Sequence, residues 1–303
     1  MALGDKIQKL FRLIVNDIKV IFGKHILITA SVNIDYNGEL FHSNIGDDLN
    51  YYFLREISVR PIVITSETLV AKYLCKNYLV IGSTIAMLSN KKTIVWGAGM
   101  IDKDLPVDIQ IGNIKAVRGP LTQNILNKKG FDCPLCYGDP ALLLPYHYLP
   151  IVTKKKYEIG IIPHYADLDL LKYFSQLKDI HVISTRGYND WYCFIDEILQ
   201  CRCIVSSSLH GLIIAEAYNV PSQWIEFEGT ESRDHFKYHD FYLSIGKNQT
   251  PLLIDSNTTK DNLISECDKW EAGIIDLENL IASCPFPINI SRNENNYYSG
   301  DYK

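Results

Sequence analysis

The strongest candidate for a reactive site in the sequence is a run of three serines followed by Leu209, His210 and Gly211. The apolar segment Cys203–Val205 leads into these serines, and serine is a preferred helix cap, which predicts a helix with His210 in its first turn. Backbone N–H groups at such an end are unpaired and the helix dipole is positive there, so an anion can bind. A bound phosphate would raise the pKa of His210, which could then act as an acid.

Other polar and small residues also follow predicted strands. Asn44, Gly46 and Asp47 precede a predicted helix, with Asp47 a candidate carboxylate base and one of the two adjacent aspartates a candidate N-cap. Arg118 adjoins a helix start, where its guanidinium suits carboxylate or phosphate, although a surface salt bridge is the alternative. The remaining candidates of this kind are Gly97 and Gly99 in a turn and His164 after a strand.

An alternation of short apolar strands and helices positions these residues. The predicted strands are His25–Ala30, Ile62–Thr65, Tyr78–Ile81, Thr93–Trp96, Ile114–Val117, Tyr157–Ile162, Ile180–Ser184, Cys203–Ser206 and Gln223–Glu226. Alternation of this kind is typical of parallel sheets, and ligands bind beyond the carboxyl ends of their strands. We therefore predict an α/β protein with two Rossmann-like domains that face a cleft, each a parallel sheet with flanking helices.

The predicted domain boundaries follow the breaks in this rhythm. An N-terminal amphipathic helix covers residues 1–24, and the first Rossmann-like domain covers 25–150. The second covers 151–283 and ends in a long helix from about Lys260 to Ala282, and a polar tail covers 284–303.

Composition narrows the classes of partner. The 303 residues have a net charge of -5, which argues against nucleic acid as a partner and is compatible with a small anionic substrate. There are eight cysteines, and Cys133 and Cys136 form a CxxC without a matching second pair. We predict no metal site and ordinary reduced thiols, which indicates a cytoplasmic location.

The N-terminal helix has an apolar stripe at helical spacing, formed by Leu10, Ile14, Ile18 and Ile21. Charged residues interrupt the segment, so it is neither a signal peptide nor a membrane span. We predict that the stripe packs on the core of the protein. The alternative is that residues 5–24, which carry a net positive charge, make a peripheral contact with the inner face of a membrane.

Seven motifs, in order, make the sequence resemble the polysaccharide pyruvyl transferase family. They are Asn44–Asp47, Trp96–Gly99, Val117–Thr122, Gly138–Ala141, Pro163–Tyr165, Ser207–Pro221 and Lys237–Tyr242. The resemblance spans about residues 25–245 and implies a fold like that of GT-B glycosyltransferases. It also implies transfer of the enolpyruvyl group of phosphoenolpyruvate to two hydroxyls of a sugar. The product is a pyruvate ketal on a capsule, an exopolysaccharide or a precursor.

The resemblance implies roles for particular residues. It makes His210 the catalytic acid, and phosphoenolpyruvate is a co-substrate with no further cofactor. The donor phosphate is expected at the helix start, near Ser207, Ser208 and Gly211, with Arg118 and Lys237 as counterions. Asp47 and His164 both remain candidates for the base that accepts a proton from the sugar hydroxyl. A lipid-linked saccharide remains a candidate acceptor.

One position departs from the family pattern, in which an arginine often precedes the Leu-His pair. Ser208 stands there, and Arg118, Lys237 or Arg233 are candidates to supply the missing charge. Two rival functions remain. One is a nucleotide-sugar glycosyltransferase of similar fold, with Glu216 or Glu226 as the ribose-binding carboxylate, and the other is a non-catalytic carbohydrate-binding protein.

Overall fold

The computed structural model describes residues 3–104, 106, 108–152, 154–174, 177, 179–230 and 234–290. Arg233 and residues 291–303 of the predicted tail lie outside these ranges. The described chain forms two parallel five-stranded sheets with flanking helices, which confirms the predicted α/β class.

The N-terminal sheet has the strand order β2-β1-β3-β4-β5. Its strands are β1 (Ile26–Ile28), β2 (Ile62–Ile64), β3 (Asn77–Leu79), β4 (Thr93–Trp96) and β5 (Asn113–Ala116). The helices of this part are α1 (Leu3–Ile21), α2 (Ile45–Asp48), α3 (Tyr52–Ile57), α4 (Ala71–Leu74), α5 (Ile85–Leu88), α6 (Pro120–Lys128) and α7 (Leu144–His147), with 3-10 turns at Thr65–Glu67 and Pro140–Leu143.

The C-terminal sheet has the order β10-β9-β8-β6-β7. Its strands are β6 (Tyr157–Ile162), β7 (Ile180–Val182), β8 (Cys201–Ser206), β9 (Ser222–Phe227) and β10 (Leu252–Ile254). The helices are α8 (Trp191–Leu199), α9 (Leu209–Ala217), α10 (Phe236–Ser244), α11 (Lys260–Cys267) and α12 (Leu277–Ala282), with a 3-10 helix at Tyr165–Phe174. Strands β6 and β8 are apolar and buried at their centres, as expected for a parallel sheet covered on both faces.

The predicted long helix over 260–282 is wrong, because it consists of two short helices, α11 and α12. The chain between them turns toward Glu216, whose carboxylate accepts hydrogen bonds from the backbone N–H of Gly273 at 2.6 Å and from the indole of Trp270 at 3.1 Å. These hydrogen bonds to Glu216 take the place of the backbone hydrogen bonds that a continuous helix would have made. Strand β10 was not predicted either, since its three residues are too short to give an alternating pattern.

After α11 the chain returns to the N-terminal sheet. The indole N–H of Trp96 donates to the carbonyl of Leu280 at 2.9 Å, and Phe286 packs edge-on against Tyr78 and Trp96. Helix α12 and residues 284–290 therefore contact the first sheet, although they follow the second one in sequence.

The N-terminal helix is confirmed, but the predicted packing of its apolar stripe is wrong. Leu10, Ile14 and Ile18 are 50%, 44% and 53% exposed. The opposite, polar face contacts the protein, because Arg12 pairs with Glu67 at 2.6 Å and Asp17 accepts backbone N–H groups at the start of α4.

Candidate active site

A cavity of about 210 Å³ lies between the two sheets, beyond the carboxyl ends of their strands. It is lined by Ser31, Asn44, Asp47, Ser83, Thr84, Met87, Ile101, His164, Tyr165, Thr185, Ser208, Leu209, His210 and Lys237. A larger cavity, of about 630 Å³, lies beside β5 and contains none of the predicted site residues. The smaller cavity is therefore the candidate site.

His210 enters this cavity from the first turn of α9. Ser208 is the N-cap residue of α9 and lines the cavity, and its side chain makes no capping hydrogen bond. A Cβ on Gly46 would collide with the His210 imidazole, so glycine is required where α2 meets this ring. The histidine is 7% exposed, so the protein groups that face the ring are the ones that matter for its role.

A buried carboxylate faces the histidine from the N-terminal domain. The His210 Nε2 and Asp139 Oδ2 atoms are 3.7 Å apart, too far for a hydrogen bond, and neither atom has another hydrogen-bond partner among the described residues. The other oxygen of Asp139 accepts the N–H of Ala141 at 3.0 Å. Sequence reasoning gave Asp139 no role, although it lies within the quoted Gly138–Ala141 motif.

Asp47 borders the same cavity. Its carboxylate accepts a hydrogen bond from the Asn44 amide at 2.8 Å, and Asn44 also caps α2 by accepting the N–H of Gly46. Asn44 is thus the N-cap, and the prediction that an aspartate caps this helix is wrong. Burial raises the pKa of Asp47, and the charges of His210 and Lys237 oppose the rise.

Arg118 lies behind the cavity, where it joins the two domains. Its guanidinium is fully buried, pairs with Asp240 of α10 at 3.0 Å, and also donates to the Ser83 hydroxyl and the Met100 carbonyl. Asp240 accepts the N–H and hydroxyl of Thr122, at 2.9 and 2.7 Å, and so caps α6. Ser83 lines the cavity, so Arg118 reaches the site through that hydroxyl.

The remaining predicted binding residues are packed more tightly than the sequence suggests. A Cβ would collide with Pro140 at Gly97, with Arg118 at Gly99, and with Ser206 and Ile162 at Gly211. Ser207 donates to Asp167 at 2.6 Å and accepts the N–H of His164 at 2.9 Å. These four residues hold the walls of the cavity, while Ser208, His164 and Lys237 line it.

A second set of contacts between the domains lies beside Asp47. The Tyr188 hydroxyl donates to the buried Asp48 carboxylate at 2.7 Å, and the Ile45 N–H donates to the Thr185 carbonyl at 3.0 Å. Burial raises the pKa of Asp48 to about 6, against the effect of the Tyr188 hydrogen bond. Helix α2 is therefore fixed to the C-terminal domain at the point where it presents Asp47.

Comparison with known proteins agrees with this arrangement. A family model described as polysaccharide pyruvyl transferase matches residues 2–227. The chain belongs to this family. It is 31% identical over 218 residues to the uncharacterized protein L143 of Acanthamoeba polyphaga mimivirus, a match that covers 67% of this chain and 70% of the relative. It is 28% identical over 249 residues to the succinoglycan biosynthesis protein ExoV of Rhizobium meliloti (strain 1021), covering 78% and 72%.

Membership of the polysaccharide pyruvyl transferase family indicates a pyruvyltransferase role in polysaccharide biosynthesis, with a saccharide acceptor. The matched region contains His210, Asp139, Asp47 and Arg118. It ends before α10. This helix supplies Lys237 to the cavity and Asp240 to the contact between the domains. In the described part of this pyruvyl transferase family member, no helix is long and apolar enough to cross a membrane.

The buried ion pair gives a first testable prediction. Asp240→Ala leaves Arg118 charged and without its carboxylate, and we expect the unfolding free energy to fall by about 3–5 kcal/mol in urea denaturation. The double variant Arg118→Met, Asp240→Leu should recover part of that loss. Asp268→Ala, which breaks the exposed pair with Arg202, is the control and should cost less than about 1 kcal/mol. Equal losses in the two single variants would contradict the interpretation.

Asp48 gives a second prediction. Its folded-state pKa of about 6 lies above the ordinary value of 3.8, so the folded state binds the proton more tightly. The resulting stabilisation is fully present below about pH 4 and is lost as the pH rises through about 6. The Asp48→Asn variant has a neutral side chain at every pH. Its free energy of unfolding, relative to that of wild type, should therefore rise by roughly 2–3 kcal/mol from pH 4 to pH 7. A difference that does not vary with pH in urea denaturation would show that burial does not perturb this carboxyl.

Proposed function

We propose that this protein transfers the enolpyruvyl group of phosphoenolpyruvate to two hydroxyls of a saccharide and forms a cyclic pyruvate ketal. The observation that carries the proposal is the buried pair of His210 and Asp139 at the start of α9, in a cavity that Lys237 also lines. An imidazole beside a buried carboxylate is a common arrangement for general acid–base catalysis. A nearby cation and a helix N-terminus suit an anionic donor.

The donor phosphate would lie at the N-terminal end of α9. Ser208, Leu209 and His210 line the cavity there, and Lys237, which also lines it, provides positive charge from α10. Arg118 is too deeply buried to reach the phosphate, and we assign it the positioning of Ser83 and α10. In this arrangement Lys237 takes the place of the arginine that the family often has at the position of Ser208.

His210 would act as the general acid. It donates a proton to the methylene carbon of phosphoenolpyruvate, which becomes a methyl group, and C2 gains oxocarbenium character. One saccharide hydroxyl attacks C2 and loses its proton to a base, and the bond from C2 to the phosphate oxygen breaks. A second hydroxyl then attacks C2, its proton leaves, and the ketal closes with release of inorganic phosphate. One of the two hydroxyl protons restores His210 and the other leaves with the released phosphate, so the base is regenerated and the protons balance.

Asp47 is the better candidate for the base. It lines the same cavity as His210, and burial raises its pKa, which makes the ionised carboxylate a stronger proton acceptor. His164 lines the cavity as well, but its Nδ1 already accepts the N–H of Ala166 at 3.3 Å. We therefore assign proton removal from the acceptor hydroxyl to Asp47.

The saccharide acceptor would approach past Tyr165. The ring of Tyr165 is 43% exposed at the cavity, and the guanidinium of Arg186 lies 4.0 Å from its centroid. Arg186 and Phe41 line an adjoining open groove with His42. Aromatic faces and a planar guanidinium are surfaces on which sugar rings stack and form hydrogen bonds.

The contacts of two glutamates count against a nucleotide-sugar glycosyltransferase. Glu216 accepts hydrogen bonds from Lys247, Trp270 and Gly273. Glu226 pairs with His235 at 2.8 Å. Both candidates for a ribose-binding carboxylate are therefore engaged within the protein, whereas His210 and Asp139 each keep an unsatisfied atom toward the other.

Calorimetric titration with phosphoenolpyruvate tests the donor. We expect saturable binding that Lys237→Met weakens roughly tenfold or more, because a charged contact to the phosphate is lost. The control is Lys115→Met, which removes an exposed lysine of the edge strand β5, outside the candidate cavity. It should leave the affinity for phosphoenolpyruvate unchanged. Binding of a nucleotide sugar in place of phosphoenolpyruvate would indicate a glycosyltransferase. Binding of saccharide alone would indicate a non-catalytic protein.

Phosphate release in the presence of a panel of saccharides tests the roles of the two central residues. His210→Ala should reduce kcat at least about 10²–10⁴-fold while the fold is retained. Asp139→Asn should lower kcat with little change in KM, since the carboxylate beside the His210 imidazole is lost while the cavity lining stays in place. An unchanged kcat in Asp139→Asn would mean that this aspartate only caps the 3-10 turn.

A further inference from the structure

The N-terminal helix presents a continuous apolar surface away from the protein. The exposed fractions are 61% for Ile7, 69% for Phe11 and 53% for Ile18. Leu10, Ile14 and Phe22 lie on the same side and are exposed as well. We call these six side chains the apolar face of α1. Apolar patches of this kind on a soluble protein commonly mark an interaction surface.

Specific contacts fix the helix in this orientation. Arg12 pairs with Glu67, and the Asn16 amide donates to the Glu67 carbonyl at 3.0 Å. Asp17 accepts the N–H of Ala71 at 2.9 Å, and Val20 is buried beside Ala71 in an apolar cluster. Because these inward residues hold the opposite side of the helix, the apolar face cannot turn inward without breaking an ion pair and a helix cap.

The neighbouring helix α4 also carries exposed apolar side chains. Val70, just before α4, is 46% exposed, and Tyr73 and Leu74 are 67% and 60% exposed. Asp17 bonds to the first turn of α4, so the two helices are held together. Exposed apolar side chains therefore occur on both of these joined helices.

The charges around the apolar face indicate its partner. Lys6, Lys19 and Lys24 are exposed, whereas the one aspartate in the second half of α1, Asp17, is buried in its contacts with α4. A second copy of the helix packed against this face would bring lysines toward lysines. An anionic lipid surface offers opposite charge to these lysines and an apolar interior to the aromatic and aliphatic side chains.

We propose that α1 and the exposed end of α4 bind an anionic membrane surface, with α1 lying parallel to the bilayer plane. The apolar face would enter the boundary between headgroups and acyl chains, and the lysines would lie among the headgroups. Such binding would hold the candidate site near a membrane, within reach of a saccharide acceptor if that acceptor is lipid-linked. The membrane contact itself does not depend on the proposed reaction.

Vesicle flotation with the full chain tests the proposal. The probes are vesicles of phosphatidylcholine alone and vesicles that also contain phosphatidylglycerol. Wild type should float with the anionic vesicles, and its binding should weaken as salt is added. The double variant Phe11→Ser, Ile18→Ser should lose roughly tenfold or more in partitioning, because buried apolar area is lost. Circular dichroism checks that the fold is unchanged, which is expected at exposed positions.

A control removes two apolar side chains elsewhere that are even more exposed than Phe11 and Ile18. Ile151 and Ile274 are 93% and 85% exposed, so Ile151→Ser, Ile274→Ser should float like wild type. Replacing Lys6, Lys19 and Lys24 with glutamine should reduce anionic binding roughly tenfold or more. The proposal is overturned if wild type ignores both kinds of vesicle. It is also overturned if Phe11→Ser, Ile18→Ser abolishes a concentration-dependent dimer in sedimentation without changing flotation.

Discussion

The ion pair between Arg118 and Asp240 is the interaction on which the rest of the site depends. Both side chains are fully buried, and the desolvation of two charges is offset only because every polar atom finds a partner. Asp240 also caps α6, and Gly119 has no side chain because a Cβ would collide with the Asp240 backbone. This one contact sets where α10 lies against the N-terminal domain, and α10 carries Lys237 to the cavity.

The cavity combines groups that are costly to bury together without a ligand. His210 and Asp139 face each other across 3.7 Å, while burial raises the pKa of Asp47 nearby. The N-terminal end of α9 and Lys237 add positive potential to the same small volume. The proposed anionic donor would complete these interactions.

The seven motifs have two different physical roles that sequence patterns do not separate. Some contribute side chains to the cavity, as do Asn44 and Asp47 at α2 and Ser208 and His210 at α9. Others provide close packing, as do Gly97 beside Pro140 and Gly99 beside Arg118. Small residues after a strand are compatible with both roles, because a ligand and a neighbouring side chain need the same space.

By itself the sequence determined the alternation of strands and helices, the parallel sheets, and the position of His210 in a helix that follows a strand, since hydrophobic periodicity and caps are local. It also indicated the family, because the motifs occur in order. Only the tertiary structure decided that Asp139 faces His210, that Arg118 forms a buried ion pair with Asp240, and that the apolar face of α1 points outward. These outcomes depend on contacts between residues that are far apart in the chain. Packing decides which group faces a charge or an apolar stripe, and the sequence around that charge or stripe carries no signal of it.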